Sequence, residues 1–249
     1  MRMRIFLLLI GILISNPAIT ASADYELMHA DNDLSDTASL QRGAATFVNY
    51  CLSCHSASYM RFNRLGKDLG IDDDILKSNL MFATDKTGET MNIAMNTQDA
   101  ELYFGGAVPP DLSVTARSRG VDWLYTYFMT FYRDEARPFG VNNLVFKDVG
   151  MPHVLWDLQG WQNPVYEQEQ HADGSVTKKI GHLEEKTKGT LSPEEYAQTV
   201  RDLVNFMDYL GEPIKLKRQK IGFWAIFYLL LILLPVVYLL KKEYWKDVH

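Results

Sequence analysis

The segment Cys51-Leu52-Ser53-Cys54-His55 restricts what this chain can fold into more than any other feature. The pattern C-x-x-C-H is the attachment signature of a c-type haem, in which two thiols bond the two vinyl groups along one porphyrin edge. The imidazole that follows is then the proximal ligand of the iron. Cys51 and Cys54 are the only cysteines among the 249 residues, so neither has another cysteine to pair with. We therefore predict one covalently bound haem c.

Two other kinds of site use a pair of cysteines at this spacing. A redox-active dithiol is expected at a strand-to-helix turn of a βαβ unit, and a zinc site needs further thiols or paired histidines. The sequence around Cys51 shows neither context. The haem interpretation is favoured over both.

Residues 1–23 are typical of a secretory signal peptide. Arg2 and Arg4 precede an apolar stretch at 5–14, and residues 21–23 form an A-x-A cleavage site. An apolar stretch of about ten residues is short for a membrane span, so a cleaved signal is favoured over an uncleaved anchor. Export agrees with the haem, because bacteria attach c-type haem outside the plasma membrane.

A second apolar run, residues 221–240, contains no charged side chain. At about 1.5 Å per residue it reaches roughly 30 Å, the thickness of the hydrocarbon core of a bilayer. No polar face interrupts the run, as one would in a buried core helix. We predict one C-terminal transmembrane helix at residues 220–241, in which Pro235 is tolerated.

The orientation of this anchor involves two conflicting signals. Four basic residues precede the apolar run at 221–240 and three follow it, so the positive-inside rule taken alone places the tail outside. The difference is a single residue, whereas the signal peptide and the haem motif both require an exported main domain. We therefore expect a bacterial inner-membrane protein with residues 24–219 in the periplasm and the tail, 242–249, in the cytoplasm.

The exported part of the chain is acidic. Residues 24–214 hold 29 acidic and 16 Lys or Arg side chains, a formal charge of −13. Such a charge disfavours binding to nucleic acid and can steer a basic partner towards the protein. The densest acidic run, Asp72-Asp73-Asp74, is interpreted as a solvated helix start in preference to a docking site.

The helical pattern predicts a mainly α fold. A helix over 40–50 leads into the haem motif, and Gly43 could let another helix approach closely. Ser192 and Glu195 form a capping box for a second helix, which Gly211 and Pro213 end. Two such helices, one ending at C-x-x-C-H and one crossing it, are the arrangement of a cytochrome c-like domain.

Two stretches lie between these helices. Residues 121–132 are predicted to form a strongly aromatic helix. Residues 161–190 are polar, and the turn sequence at 171–174 suggests two short strands in a surface excursion.

An electron-transfer haem with one histidine ligand needs a sixth ligand, and a thioether favours ferrous iron and raises the potential. Met151 differs from the other methionines because Gly150 and Pro152 hold it in a non-helical loop. His153 is the second choice. The remaining candidates after the motif are Met60, Met81, Met91, Met95, Met129, Met207, His171 and His182.

The chain resembles the cytochrome c1 family, the haem subunits of cytochrome bc1 (ubiquinol–cytochrome c reductase) complexes. Four features carry the resemblance along nearly the whole mature chain. They are residues 41–56 with the haem motif, Gly106-Ala107-Val108-Pro109-Pro110-Asp111-Leu112-Ser113, Gly150-Met151-Pro152, and the single C-terminal anchor.

The resemblance implies a role for each site residue. Cys51 and Cys54 would hold the haem, with His55 proximal and Met151 distal. Pro109 and Pro110 would pack against the haem, Arg119 would pair with a propionate, and Trp123 would line the pocket. Sequence alone leaves open whether Arg117 or Arg119 faces the haem.

The function implied is electron transfer, with no substrate bond broken on this chain. The haem would take an electron from the Rieske iron–sulfur protein and pass it to a periplasmic c-type cytochrome. Cytochrome b and membrane lipid would contact the anchor, within a dimeric complex. The alternatives are a tethered haem protein with an open distal site, acting as a gas sensor or peroxidase, and a haem subunit of a terminal oxidase.

Overall fold

The computed structural model describes residues 25–93, 95–170 and 176–246. Three predictions lie wholly or partly outside the described residues: the signal peptide at 1–23, the turn at 171–174 with the candidate ligand His171, and the last three residues of the predicted tail.

The described part of the chain is mainly α-helical. Its helices are α1 (Thr37–Tyr50), α2 (Phe62–Leu69), α3 (Asp73–Leu80), α4 (Thr97–Tyr103), α5 (Thr115–Arg119), α6 (Val121–Met129), α7 (Trp156–Gln159), α8 (Pro193–Gly211) and α9 (Lys215–Tyr244). Its strands are β1 (Ala57–Arg61), β2 (Thr90–Met91), β3 (Phe131–Arg133), β4 (Val141–Asn143), β5 (Gly160–Gln170) and β6 (Val176–Lys188). The strands form three antiparallel pairs, β1–β2, β3–β4 and β5–β6.

Helix α1 begins three residues before the predicted start. The Asp36 carboxylate accepts a hydrogen bond from the backbone N–H of Ser39 (3.0 Å), which satisfies one of the free donors at the helix N-terminus. At the other end the backbone N–H of Cys51 still bonds to the Phe47 carbonyl (2.8 Å). The haem motif is therefore a direct continuation of α1.

Helices α1 and α8 cross at Gly43. A Cβ atom placed on Gly43 would lie 2.0 Å from the backbone oxygen of Asp202, so this position has room for no side chain. Phe47 and Phe206 pack beside the crossing with ring centroids 5.4 Å apart. The predicted capping box at Ser192 is present and sets the start of α8.

A buried carboxylate ties the two helices together at this crossing. Asp202 is 3% exposed and accepts hydrogen bonds from Ser39 Oγ (2.7 Å), Arg42 Nε (2.6 Å) and Gln198 Nε2 (2.9 Å). A buried charge is tolerated when it is paired and hydrogen-bonded, as this one is.

The aromatic helix α6 is shorter than predicted, since it ends at Met129 and the chain enters β3. The amide of Asn143 donates to the Tyr127 carbonyl (2.7 Å), and Phe131 pairs with Asn143 across the β3–β4 ladder. A side chain from β4 thus binds a backbone carbonyl of the last turn of α6, which would otherwise accept a hydrogen bond from the next turn of the helix.

The strands of the polar excursion are longer than expected. β5 has 11 residues and β6 has 13, and most of β6 is exposed. Their polar sequence gives little strand signal because the pair is held by backbone hydrogen bonds and hardly by burial. Bulges interrupt the register at Trp161/Gln162 and Val165/Tyr166.

Helix α9 is long and apolar enough to cross a membrane, and it is the only such helix in the described ranges. It begins at Lys215, five residues before the predicted span, and the strongly apolar stretch lies inside it. A π-helical turn at Leu229–Leu233 directly precedes the segment that contains Pro235. Such a turn is one way in which a helix accommodates proline.

We expect Gly43→Ala to lower the free energy of unfolding by about 1–3 kcal/mol or more, although alanine favours helix formation. The added methyl group forces α1 and α8 apart at their crossing. Urea denaturation of the detergent-solubilised chain, followed by circular dichroism, measures the effect. Gly88→Ala is the control, because nothing lies within 4 Å of a Cβ atom there. Equal stabilities of the two variants would contradict the close-packed crossing.

Candidate functional site

A cavity of about 380 Å³ opens where α1 ends, between α6, α8 and two loops. All eight predicted site residues border it: Cys51, Cys54, His55, Pro109, Pro110, Arg119, Trp123 and Met151. Most of the other lining residues are aromatic or aliphatic: Tyr50, Phe104, Ala107, Val108, Leu112, Leu124, Tyr127, Phe128, Phe146, Val149, Val154 and Met207. The cavity therefore offers an apolar interior with a few chemically distinct groups.

Both cysteines are free thiols. Burial, with a smaller contribution from Cys54, raises the pKa of Cys51 to about 12, so its thiol keeps its proton at neutral pH. Among residues 25–93, 95–170 and 176–246, no group of three His, Cys, Asp or Glu side chains is placed to hold a metal ion. The pair thus has no zinc ligand set around it there.

The imidazole of His55 is held by one backbone hydrogen bond. Its Nδ1 lies 2.7 Å from the carbonyl oxygen of Pro110. Because a carbonyl only accepts, Nδ1 carries the hydrogen, and Nε2 keeps the lone pair that a metal ion needs. Burial lowers the pKa of His55 more than Pro110 and Asp111 raise it, which favours the neutral ring.

The loop that supplies this carbonyl is pinned to β1. The Asp111 carboxylate accepts hydrogen bonds from the backbone N–H groups of Ser58 (2.9 Å) and Ser113 (2.8 Å). The backbone N–H of Leu112 donates to the Ser56 carbonyl (2.8 Å). The proline pair therefore has a fixed position relative to the haem motif.

Met151 reaches the cavity from the loop after β4. Arg137 holds that loop, donating to the Asp148 carbonyl (2.9 Å) and lying 3.1 Å from its carboxylate. The hydroxyl of Tyr127 donates to the Met151 sulfur across 3.4 Å. The thioether is thus placed on the cavity wall by its loop and by α6.

His153, the second choice for the sixth ligand, does not border the cavity. It is 5% exposed and stacks on Phe131, with ring centroids 4.8 Å apart and planes at 4°. Burial lowers the pKa of His153 to about 4, so the ring stays neutral in the core. Its place between aromatic rings makes it a core residue.

Of the two candidate arginines, Arg119 borders the cavity and Arg117 does not. The guanidinium of Arg119 lies 5.1 Å from the ring centroid of Trp123 and 5.7 Å from that of Phe146. Arg117 points the other way, since its Cγ lies 3.1 Å from the position of a Cβ atom on Gly211. A positive charge therefore sits at the cavity edge on an aromatic surface.

Sequence reasoning missed several lining residues. In the sequence Met207 is one of several remaining methionine candidates and Tyr127 is part of a predicted aromatic helix, yet both border the cavity. Met207 is 1% exposed and lies on α8, as Asp202 does. Helical spacing identifies such residues as buried, but it does not show that they face a cavity. Phe146 lies in a loop and left no sequence signal.

We expect Asp111→Asn to lower the free energy of unfolding at neutral pH by about 1 kcal/mol, because its amide NH₂ would face a backbone N–H. Burial raises the pKa of Asp111, but hydrogen bonds from Ser113 and Ser58 outweigh this and leave the pKa below its ordinary 3.8. The Asp111 carboxylate therefore contributes its full stabilisation above its ordinary pKa of 3.8, and this stabilisation is lost as the pH falls through the lowered pKa.

Denaturation of wild type and Asp111→Asn at a series of pH values measures this difference. Asp85→Asn serves as the control, since the Asp85 carboxylate is exposed. A difference that stays constant from pH 7 down to the acid limit would disprove the role of the carboxylate.

Comparison with known proteins places the chain in a family. A sequence model described as "Cytochrome C1 family" matches residues 30–248. The cytochrome c1 of Allochromatium vinosum is 50% identical over 248 residues, covering 99% of this chain and all of that protein. A protein of Nitrosomonas europaea named ammonia monooxygenase gamma subunit is 46% identical over the full length of both chains. The cytochrome c1 of Blastochloris viridis is 26% identical, covering 86% of this chain and 82% of that protein. The chain therefore belongs to the cytochrome c1 family, whose members carry covalently bound haem c.

Proposed function

We propose that this chain is the haem-bearing electron-transfer subunit of a bacterial ubiquinol–cytochrome c reductase. One observation carries the proposal: two free thiols, an imidazole with an available Nε2 and a thioether all border the same apolar cavity. A haem uses each of these groups and leaves none of them unexplained.

The residues present fit a haem c. Cys51 and Cys54 would form the thioether bonds, His55 would supply the proximal nitrogen, and Met151 would supply the distal sulfur. Arg119 would pair with a propionate at the cavity edge, a use that suits a guanidinium. Pro109, Pro110 and Trp123, which line the cavity, would pack against the porphyrin.

When bound, the haem iron supplies one-electron chemistry, ferric on losing an electron and ferrous on gaining one. The protein residues keep this chemistry restricted to electron transfer. His55 and Met151 would both hold the iron, which would leave no open site for water or small ligands. The apolar walls exclude water, and the soft thioether favours the ferrous state, which raises the potential.

The proposed electron donor is a reduced Rieske iron–sulfur protein, and the proposed acceptor is a ferric c-type cytochrome in the periplasm. One electron moves in each transfer, and no bond forms or breaks on this chain. The acidic exported domain suits a basic acceptor. The fully exposed apolar surface of α9 suits contact with cytochrome b and membrane lipid, in a dimeric complex whose haem domains lie in the periplasm.

Membership of the cytochrome c1 family disfavours a terminal-oxidase subunit, a gas sensor and a peroxidase. The name of the Nitrosomonas relative raises another possibility, that the chain serves a monooxygenase. That role would use the same cavity with a different partner, so partner identification separates the two.

We expect Met151→Leu to lower the midpoint potential of the purified haem protein sharply and to let carbon monoxide bind the ferrous iron. Leucine has no donor atom, so the distal position opens. An optical redox titration of wild type and variant measures the shift.

Met129→Leu is the matched control, since Met129 is partly buried beside the core and does not border the cavity. A wild type that already binds carbon monoxide, with a potential unchanged by Met151→Leu, would overturn the assignment of Met151. The open-site alternative would then be favoured.

We also expect the affinity-tagged full-length chain, extracted in mild detergent, to co-purify with a b-type cytochrome and an iron–sulfur protein. The preparation should reduce a soluble c-type cytochrome when given a ubiquinol. Haem and iron–sulfur spectra, together with mass spectrometry, identify the partners. Recovery with monooxygenase subunits and without a b-type cytochrome would refute the proposed complex.

A further inference from the structure

The hydroxyl of Tyr127 is a buried polar group at the cavity that the proposed function does not use. Tyr127 is 7% exposed and borders the cavity. Its ring stacks on Trp123 at 5.1 Å with planes at 13°, and it meets Phe131 edge-on at 4.9 Å. Phenylalanine would satisfy all of these ring contacts equally well.

A buried hydroxyl usually needs a hydrogen-bond partner, because desolvating it without one costs free energy. Among the described residues, the hydrogen bond that the Tyr127 hydroxyl makes is to Met151 Sδ, at 3.4 Å. A thioether is a weak acceptor, so general stability is a poor reason for placing a hydroxyl here.

We propose that Tyr127 is a positioning residue for Met151, whose sulfur it orients and whose donation to the haem iron it weakens. This inference rests on the proposed function, because it needs Met151 as the distal ligand. A thioether sulfur has two lone pairs. A hydrogen bond to one of them fixes the rotation of the side chain and leaves the other to face the cavity.

The same hydrogen bond has an electronic effect. The donor hydrogen draws electron density from the sulfur, and ferric iron depends on that density more than ferrous iron does. Tyr127 therefore favours the ferrous state and raises the midpoint potential. Tuning by hydrogen bonds near a ligand is a recognised means by which proteins set haem potentials.

The test compares Tyr127→Phe with wild type in the full-length haem protein. Phenylalanine keeps the ring and its packing and removes only the hydroxyl. Tyr125→Phe is the matched control, since Tyr125 is also buried on α6 and does not border the cavity. The readouts are the optical midpoint potential and the absorption band by which methionine-ligated ferric haem is recognised.

We expect Tyr127→Phe to lower the midpoint potential, so that the ferrous-to-ferric ratio at a fixed potential falls several-fold. A tenfold fall in this ratio corresponds to a midpoint potential lower by 59 mV for a one-electron couple. Methionine ligation is retained, and Tyr125→Phe behaves as wild type. If all three proteins are methionine-ligated and share one midpoint, the inference is wrong and the proposed function stands. If wild type lacks methionine ligation, the assignment of Met151 fails and the inference fails with it.

Discussion

The contact between α1 and α8 at Gly43 is the constraint on which the rest of the structure depends. The two backbones approach so closely that no Cβ atom fits, and Asp202 of α8 accepts hydrogen bonds from Ser39 and Arg42 of α1. Helix α1 ends in the haem motif, and α8 contributes Met207 to the cavity wall. The cavity therefore exists because this crossing fixes where the motif emerges relative to the opposite wall.

The parts that could be predicted from the sequence are those set by local chemistry. The capping box at Ser192 and the motif at 51–55 each depend on residues near one another in the chain, and Gly43 indicates a close approach because it has no side chain. The loop around Met151 could also be recognised, because glycine and proline restrict its backbone within three residues. For these features, the residues that produce the local structure can be read directly from the sequence.

The parts that could not be predicted depend on distant residues. Helix α6 ends at Met129 because Asn143, fourteen residues later, takes a carbonyl of its last turn. Which of Arg117 and Arg119 borders the cavity depends on how α5 packs against α8. The sequence does not show how these two helices pack. The long β5–β6 pair is held by backbone bonds, which any polar sequence can make, so its length left no pattern.

The junction between α8 and α9 has a consequence for the whole assembly. Only residues 212–214 separate the two helices, and Lys215 returns to Asp208 (2.9 Å) while Arg218 pairs with Glu212. In the proposed complex, a tether this short and doubly pinned would hold the cavity at a set height above the bilayer and leave it little freedom to swing. In the proposed complex this chain is then a stationary relay, and the travel needed to carry electrons across the gap falls to the proteins on either side of it.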